Sequence, residues 1–131
     1  MDVFKEFGTD AKKESEGVWH DVGGGGKILV ARAGNRKHAR LLSREVEKNQ
    51  RTLDLKTDAA DDVSDLIMID VMAQTILLGW SGLKFKGADL PYSTENAKML
   101  LGIKDFRALV SRVSNDLDNY RAAHEAEAVK S

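Results

Sequence analysis

Thr57-Asp58-Ala59-Ala60-Asp61-Asp62-Val63-Ser64-Asp65-Leu66-Ile67-Met68-Ile69-Asp70-Val71-Met72-Ala73-Gln74-Thr75-Ile76-Leu77-Leu78-Gly79 is the stretch around which the rest of this chain must be arranged. Thr57 or Asp58 can cap a helix here. Asp61 and Asp62 then fall in its first turn, where carboxylates meet the positive end of the helix dipole. The apolar residues continue to Leu78 and Gly79 stops them, which predicts a helix of roughly 30 Å at ~1.5 Å per residue. They occupy more than one helical face. The helix is therefore either the centre of the core or carries a second face that a partner covers, and Ile69, Met72 and Ile76 are the candidate contact residues.

Downstream, Gly79 to Tyr92 reads as a loop holding three glycines and the only proline of the chain. Trp80, Phe85 and Tyr92 in it form a small aromatic cluster over the end of the core helix, and are read as structural anchors because a buried Trp removes so much surface from water. Ser93 caps a short helix that Gly102 ends. Asp105 can cap a last one, in which Phe106, Leu109, Val110, Val113, Leu117 and Tyr120 recur at three and four, the clearest amphipathic pattern in the sequence.

Upstream, Arg36 to about Gln50 is a charged helix capped by Asn35, with Ala39, Leu42 and Val46 as a narrow apolar stripe, followed by a connector from Arg51 to Lys56. Before it, Gly17 to Val22 and Lys27 to Ala31 are short extended runs joined by four glycines, which predicts a β-hairpin with a flexible tip. Val18, His20 and Val22 share one face and Trp19 and Asp21 the other. The expected architecture is α+β and mainly α: one domain with a loosely ordered arm (1–16), a β-hairpin (17–31), a core of about four helices (35–120) and a frayed tail (121–131). At 131 residues there is no room for a second independent core.

Composition excludes several classes. Cysteine is absent, so disulfides, thiolate metal sites and a cysteine nucleophile are ruled out. The N-terminus lacks the basic start and apolar run of a signal peptide, and the longest uncharged run, between Asp70 and Lys84, is well short of the ~20 residues of a spanning helix. A protein of the cell interior is expected, with no membrane association. Net charge is −1, yet the charges are segregated. Residues 27–51 hold eight Lys and Arg against two Glu, and residues 54–70 six Asp against one Lys. Such blocks can pair within the monomer, steer one copy onto another or bind separate partners. Arg36, Arg40 and Arg44 follow each other at i+4 and make one basic ridge.

Catalytic and ligand motifs are not assembled. Gly23–Gly26 and Lys27 lack the Ser or Thr and the following helix of a phosphate loop, since Ile28 comes next. His20, His38 and His124 lie on separate elements, and the aspartates near the start of the central helix lack the Gly and terminal Glu of a calcium loop. No nucleophile, base and orienting group can be drawn from motifs, so no enzyme, cofactor or metal is expected.

The order of elements carries a resemblance. Gly79-Trp80-Ser81-Gly82 after an apolar helix, then Pro91-Tyr92-Ser93-Thr94-Glu95-Asn96-Ala97-Lys98-Met99-Leu100-Leu101, resembles the tail assembly chaperones of long-tailed, siphovirus-type bacteriophages. The similarity covers residues 63–120 best and the hairpin more loosely. It implies a non-enzymatic viral protein of virion morphogenesis, made in the host cytoplasm and absent from the mature virion. Its implied partners are the tape measure protein and the tail tube protein, and many members are also made as a longer frameshifted product. Covering a long tape requires repeated copies, so a homo-oligomer is expected. The other reading is a small DNA-binding or packaging accessory protein using Arg36, Arg40 and Arg44, for which phosphate neutralisation needs such a ridge but no DNA-reading motif is present.

Overall fold

The computed structural model describes residues 1–122. Two short helices, α1 (Val3–Phe7) and α2 (Ala11–Glu16), lead into a hairpin of β1 (Val18–Gly23) and β2 (Gly26–Val30). Helices α3 (Arg36–Lys48), α4 (Gln50–Asp54) and α5 (Asp58–Thr75) follow, then β3 (Leu77–Ser81), the small strands β4 (Lys84–Phe85) and β5 (Ala88–Asp89), and helices α6 (Thr94–Leu101) and α7 (Lys104–Ser114). A 3-10 turn at Leu117–Tyr120 completes the described chain. The class is α+β and mostly helical, with the N-terminal hairpin ahead of the helices.

The largest departure from expectation lies at the end of the central helix. It stops at Thr75, and Leu77–Ser81 forms the third strand of an antiparallel sheet in the order β1-β2-β3. Lys27 faces Ser81, Ile28 faces Trp80 and Leu29 faces Gly79, with a register shift before Val30 meets Leu77. The physical reason is that β2 carries hydrogen-bonding groups on both edges. β1 satisfies one edge, and the buried other edge needs a second partner. Ala31 N–H donates to Ile76 O at 2.9 Å, so the chain leaves α5 directly into the pairing. A continuous aliphatic run fits helix and buried strand alike, which is why periodicity over-extended the helix.

One face of the sheet enters the core. Ile28, Val30, Leu77 and Trp80 pack with Met72 and Ala73 of α5 and Ile76 just after it, Ala97, Leu100 and Leu101 of α6, and Val110 and Val113 of α7. Val18, His20 and Val22 turn towards this side while Trp19 and Asp21 are exposed, following the two-residue period. The glycine tip forms a turn against the end of β3. Gly23, Gly24 and Gly25 all take positive φ, and Gly82 at the end of β3 approaches the Gly25 backbone so closely that any Cβ there would collide with the carbonyl.

Residues 1–16 are likewise tied down. Asp2 and Asp10 cap α1 and α2 through their side chains. Asp10 N–H donates to Tyr120 O at 2.9 Å, Ala122 N–H to Gly8 O at 3.0 Å, and Arg32 N–H to Glu14 O at 2.9 Å. Polar contacts make this attachment, since Phe4 and Phe7, the two apolar candidates, both stay exposed. The expected connector after α3 contains α4, so the helices outnumber the four expected. The last helix starts at Lys104 after Ile103, with Asp105 inside its first turn and no side-chain cap, and it ends at Ser114. Arg121 and Ala122 of the expected frayed tail are placed; the remainder of that tail lies outside the described residues.

Tyr120 closes the structure. Its ring is fully buried and its hydroxyl donates to Val30 O at 3.0 Å, so burial pushes its pKa up to about 12. A tyrosine held above its unfolded value of 10.0 stabilises the native state fully below pH 10. That contribution should drain away as pH rises from 10 towards 12. Urea midpoints measured across this range should fall for the wild type, and Tyr120→Phe should show a shallower fall from a start lowered by about 1 kcal/mol.

Candidate partner-binding surface

The start of α3 is fixed by Asn35. Its Oδ1 accepts from His38 N–H at 3.1 Å, and its Nδ2 donates to Arg32 O at 2.7 Å, which joins the cap to the chain leaving the sheet. His38, Leu41, Leu42, Val46 and Asn49 turn towards α5 and are partly buried. Ala39, expected in that stripe, is exposed, because the row that meets α5 runs one position round the helix. Arg36, Arg40 and Arg44 lie on the side away from α5, all exposed. Among the described residues none of the three forms an ion pair.

The acidic block does not neutralise this ridge. Asp70 lies 3.1 Å from Lys98 Nζ, and Glu95 lies 3.5 Å from the same ammonium. These carboxylates, Asp70 foremost, hold Lys98 above the ordinary lysine range. Asp65 reaches Arg107 only at 4.0 Å. Asp58, Asp61 and Asp62 have no cation partner among the described residues. The two blocks thus sit on neighbouring helices, and the cations that answer the aspartates come from α6 and α7.

The apolar contact residues proposed on α5 need correction. Met72 and Ile76 are 5% and 1% exposed, and Ile69 packs partly buried against the core. Met72 and Ile76 are committed to the core and show only an edge to the hollow between α3, α5 and α7. The available apolar residues lie a few turns earlier, Leu66 at 65% and Met68 at 47% exposed. Their signal in the sequence is position: both stand between Asp65 and Asp70, where aspartates mark a solvated face. Leu66 also borders an open groove of about 610 Å³ between α5 and α6, lined by Ile69, Asp70, Lys98 and Met99. On the other side of α5 a smaller hollow of about 230 Å³ is lined by His38, Leu42, Met68 and Asn115 among others.

The aromatic residues read as anchors pack together. Trp80, on β3 and not at a helix end, meets Tyr92 edge to face with centroids 4.9 Å apart, and its Nε1 donates to Leu90 O at 2.7 Å. Tyr92 donates its hydroxyl to Leu77 O at 2.9 Å, which fastens the loop before α6 to β3. Phe85 packs partly buried against the core, with Lys86 Nζ 5.4 Å from its ring centre. Among the described residues no group of three or more His, Asp or Glu is placed to hold a metal ion, and no helix is long and apolar enough to cross a membrane.

His38 gives the ridge helix a pH dependence. Its Nδ1 accepts from Gly34 N–H at 3.0 Å, and burial lowers its pKa below 6.5. A group whose charged form is disfavoured in the native state contributes its stability above pH 6.5 and loses it as pH falls through the folded pKa. Thermal midpoints should therefore drop on acidification below 6.5, and His38→Asn should flatten that limb of the profile.

Comparison with curated proteins yields no match, and neither does comparison with solved structures. A family model does match, that of the YdaY prophage protein, over residues 32–131. The matched region starts at the end of the hairpin and takes in the basic helix, the central helix, β3 and everything after it. The chain belongs to the YdaY prophage protein family and is thus a protein of phage origin.

Proposed function

We propose that this prophage protein is a non-enzymatic tail assembly chaperone that binds the tape measure protein and helps recruit tail tube subunits around it. The observation that carries the reading is the pair of uncovered helix faces, the Arg36, Arg40 and Arg44 ridge on α3 and the exposed Leu66 and Met68 on α5. Both stand on helices held rigidly by the core, which is how an adaptor presents adhesive surface without losing its own fold. Phage origin supports the same role, as does the resemblance that the sequence of residues 63–120 carries to tail assembly chaperones. A long helical tape has many equivalent stretches, so several copies bind it and touch one another. The protein acts in the host cytoplasm and is not carried into the finished virion.

Co-expression with the tape measure protein of the same prophage tests this. The tagged chain should retain the tape, and retention should fall when Leu66 and Met68 are both changed to Ser. Trp80→Ala is the folding control: it should cost about 3–5 kcal/mol of stability, so its loss of binding would report lost structure and not a lost contact. A wild-type protein that stays folded yet never retains the tape would sink the reading.

The alternative is a DNA-binding accessory protein, favoured by the absence of any carboxylate partner for the ridge among the described residues. It requires retention on duplex DNA that weakens steeply with salt and is abolished by reversing Arg36, Arg40 and Arg44. The chaperone reading expects no such retention.

A further inference from the structure

Two helical faces of this chain match each other in charge and in spacing; among the described residues of its own copy the first is unanswered and the second is answered only at Asp65, loosely. On α3, Arg36, Arg40 and Arg44 stand four residues apart and cover ~12 Å at 1.5 Å per residue. On α5, Asp58, Asp62 and Asp65 stand four and three apart and cover ~10.5 Å along one exposed stripe. The side of α3 that packs on α5 is the opposite one, so ridge and stripe of a single molecule do not meet. Asp58 and Asp62 have no cation partner among the described residues, and Asp65 is held only loosely by Arg107 at 4.0 Å.

The acidic stripe is more than a solvated helix start. Leu66 and Met68 follow the stripe towards the C-terminal end of the helix, to either side of its line, and both side chains are about half exposed or more. Exposed ion pairs alone hold proteins together weakly. Three such pairs in register, repeated from copy to copy along a series, add where a single pair would not. A row of arginines at matching spacing is therefore the occupant that answers the aspartates along the length of the stripe.

We propose that the occupant is a second copy of this chain, which seats its Arg36, Arg40 and Arg44 ridge on the Asp58, Asp62 and Asp65 stripe and leaves Leu66 and Met68, beyond the end of that stripe, open to the tape. This rests on the reading of the protein as a self-associating adaptor and names the surface. Ridge and stripe are different patches, so each seated copy still presents its own free ridge or stripe. The contact is heterologous and extends into a series, as a coat along a tape needs.

Sedimentation of the full chain at low and high salt, with charge-reversed variants, tests it. The wild type should associate at low salt and dissociate at high salt, because these pairs are exposed and screened. Arg36→Glu/Arg40→Glu/Arg44→Glu should weaken association tenfold or more, and Asp58→Lys/Asp62→Lys/Asp65→Lys equally. Mixed one to one, the two reversed proteins should associate again, since the reversed ridge of one complements the reversed stripe of the other; this recovery also shows that both fold. Association that survives either reversal would overturn the surface while leaving self-association standing. A wild type that is monomeric at every salt and concentration would overturn both. A ridge reversal that removes DNA retention without changing sedimentation would assign the ridge to nucleic acid instead.

Discussion

The pairing of β2 with β3 is the contact on which the rest of the structure depends. β2 follows β1 by a tight turn, but two strands alone make a marginal sheet with a buried edge left unsatisfied. β3 arrives from the far end of α5 and completes it. That single connection obliges α5 to cross the molecule beneath the sheet, brings Met72, Ala73 and Ile76 against Ile28 and Val30, and sets Trp80 where Leu90 and Tyr92 can hold it. Helices α6 and α7 then close the core on one side and α3 packs against α5 on another.

The chain is closed at its ends by polar contacts more than by apolar ones. Tyr120 reaches Val30 O from the C-terminal turn, and the backbone around Gly8, Asp10 and Glu14 is bonded to Tyr120, Ala122 and Arg32. This leaves the apolar residues of α1 outside the core, a distribution that follows from length: a five-residue helix has too little surface to bury a face and form its own ladder at once. The sheet and its latch thus leave the outward sides of α3 and of the first half of α5 with no structural duty. It is there that unpaired arginines, aspartates and exposed aliphatic residues collect.

The notable features of this prophage-family protein are its surfaces. The charge segregation along the sequence survives folding, because the helices that carry the two blocks pack through His38, Leu42 and Val46 and not through their charges. Lys98 and Arg107 take up Asp70 and, weakly, Asp65, so the acidic block is divided into a half that holds α6 and α7 in place and a half that stays free.

Much was determined by the sequence alone. Local signals marked the hairpin and its faces, the caps at Asn35, Thr57 and Ser93 and the stop at Gly102, because each depends on residues within a few positions of one another. The basic ridge was legible for the same reason, since i+4 spacing on a helix needs no tertiary information. Only the tertiary structure decided that Ile76 to Trp80 leaves the helix for the sheet, that Met72 and Ile76 are buried while Leu66 and Met68 are not, and that residues 1–16 are tied down. An aliphatic run satisfies a helix or a buried strand equally well. Which it becomes, and which of its faces remains open, depends on a partner strand some fifty residues earlier in the chain, a relation that no local pattern records.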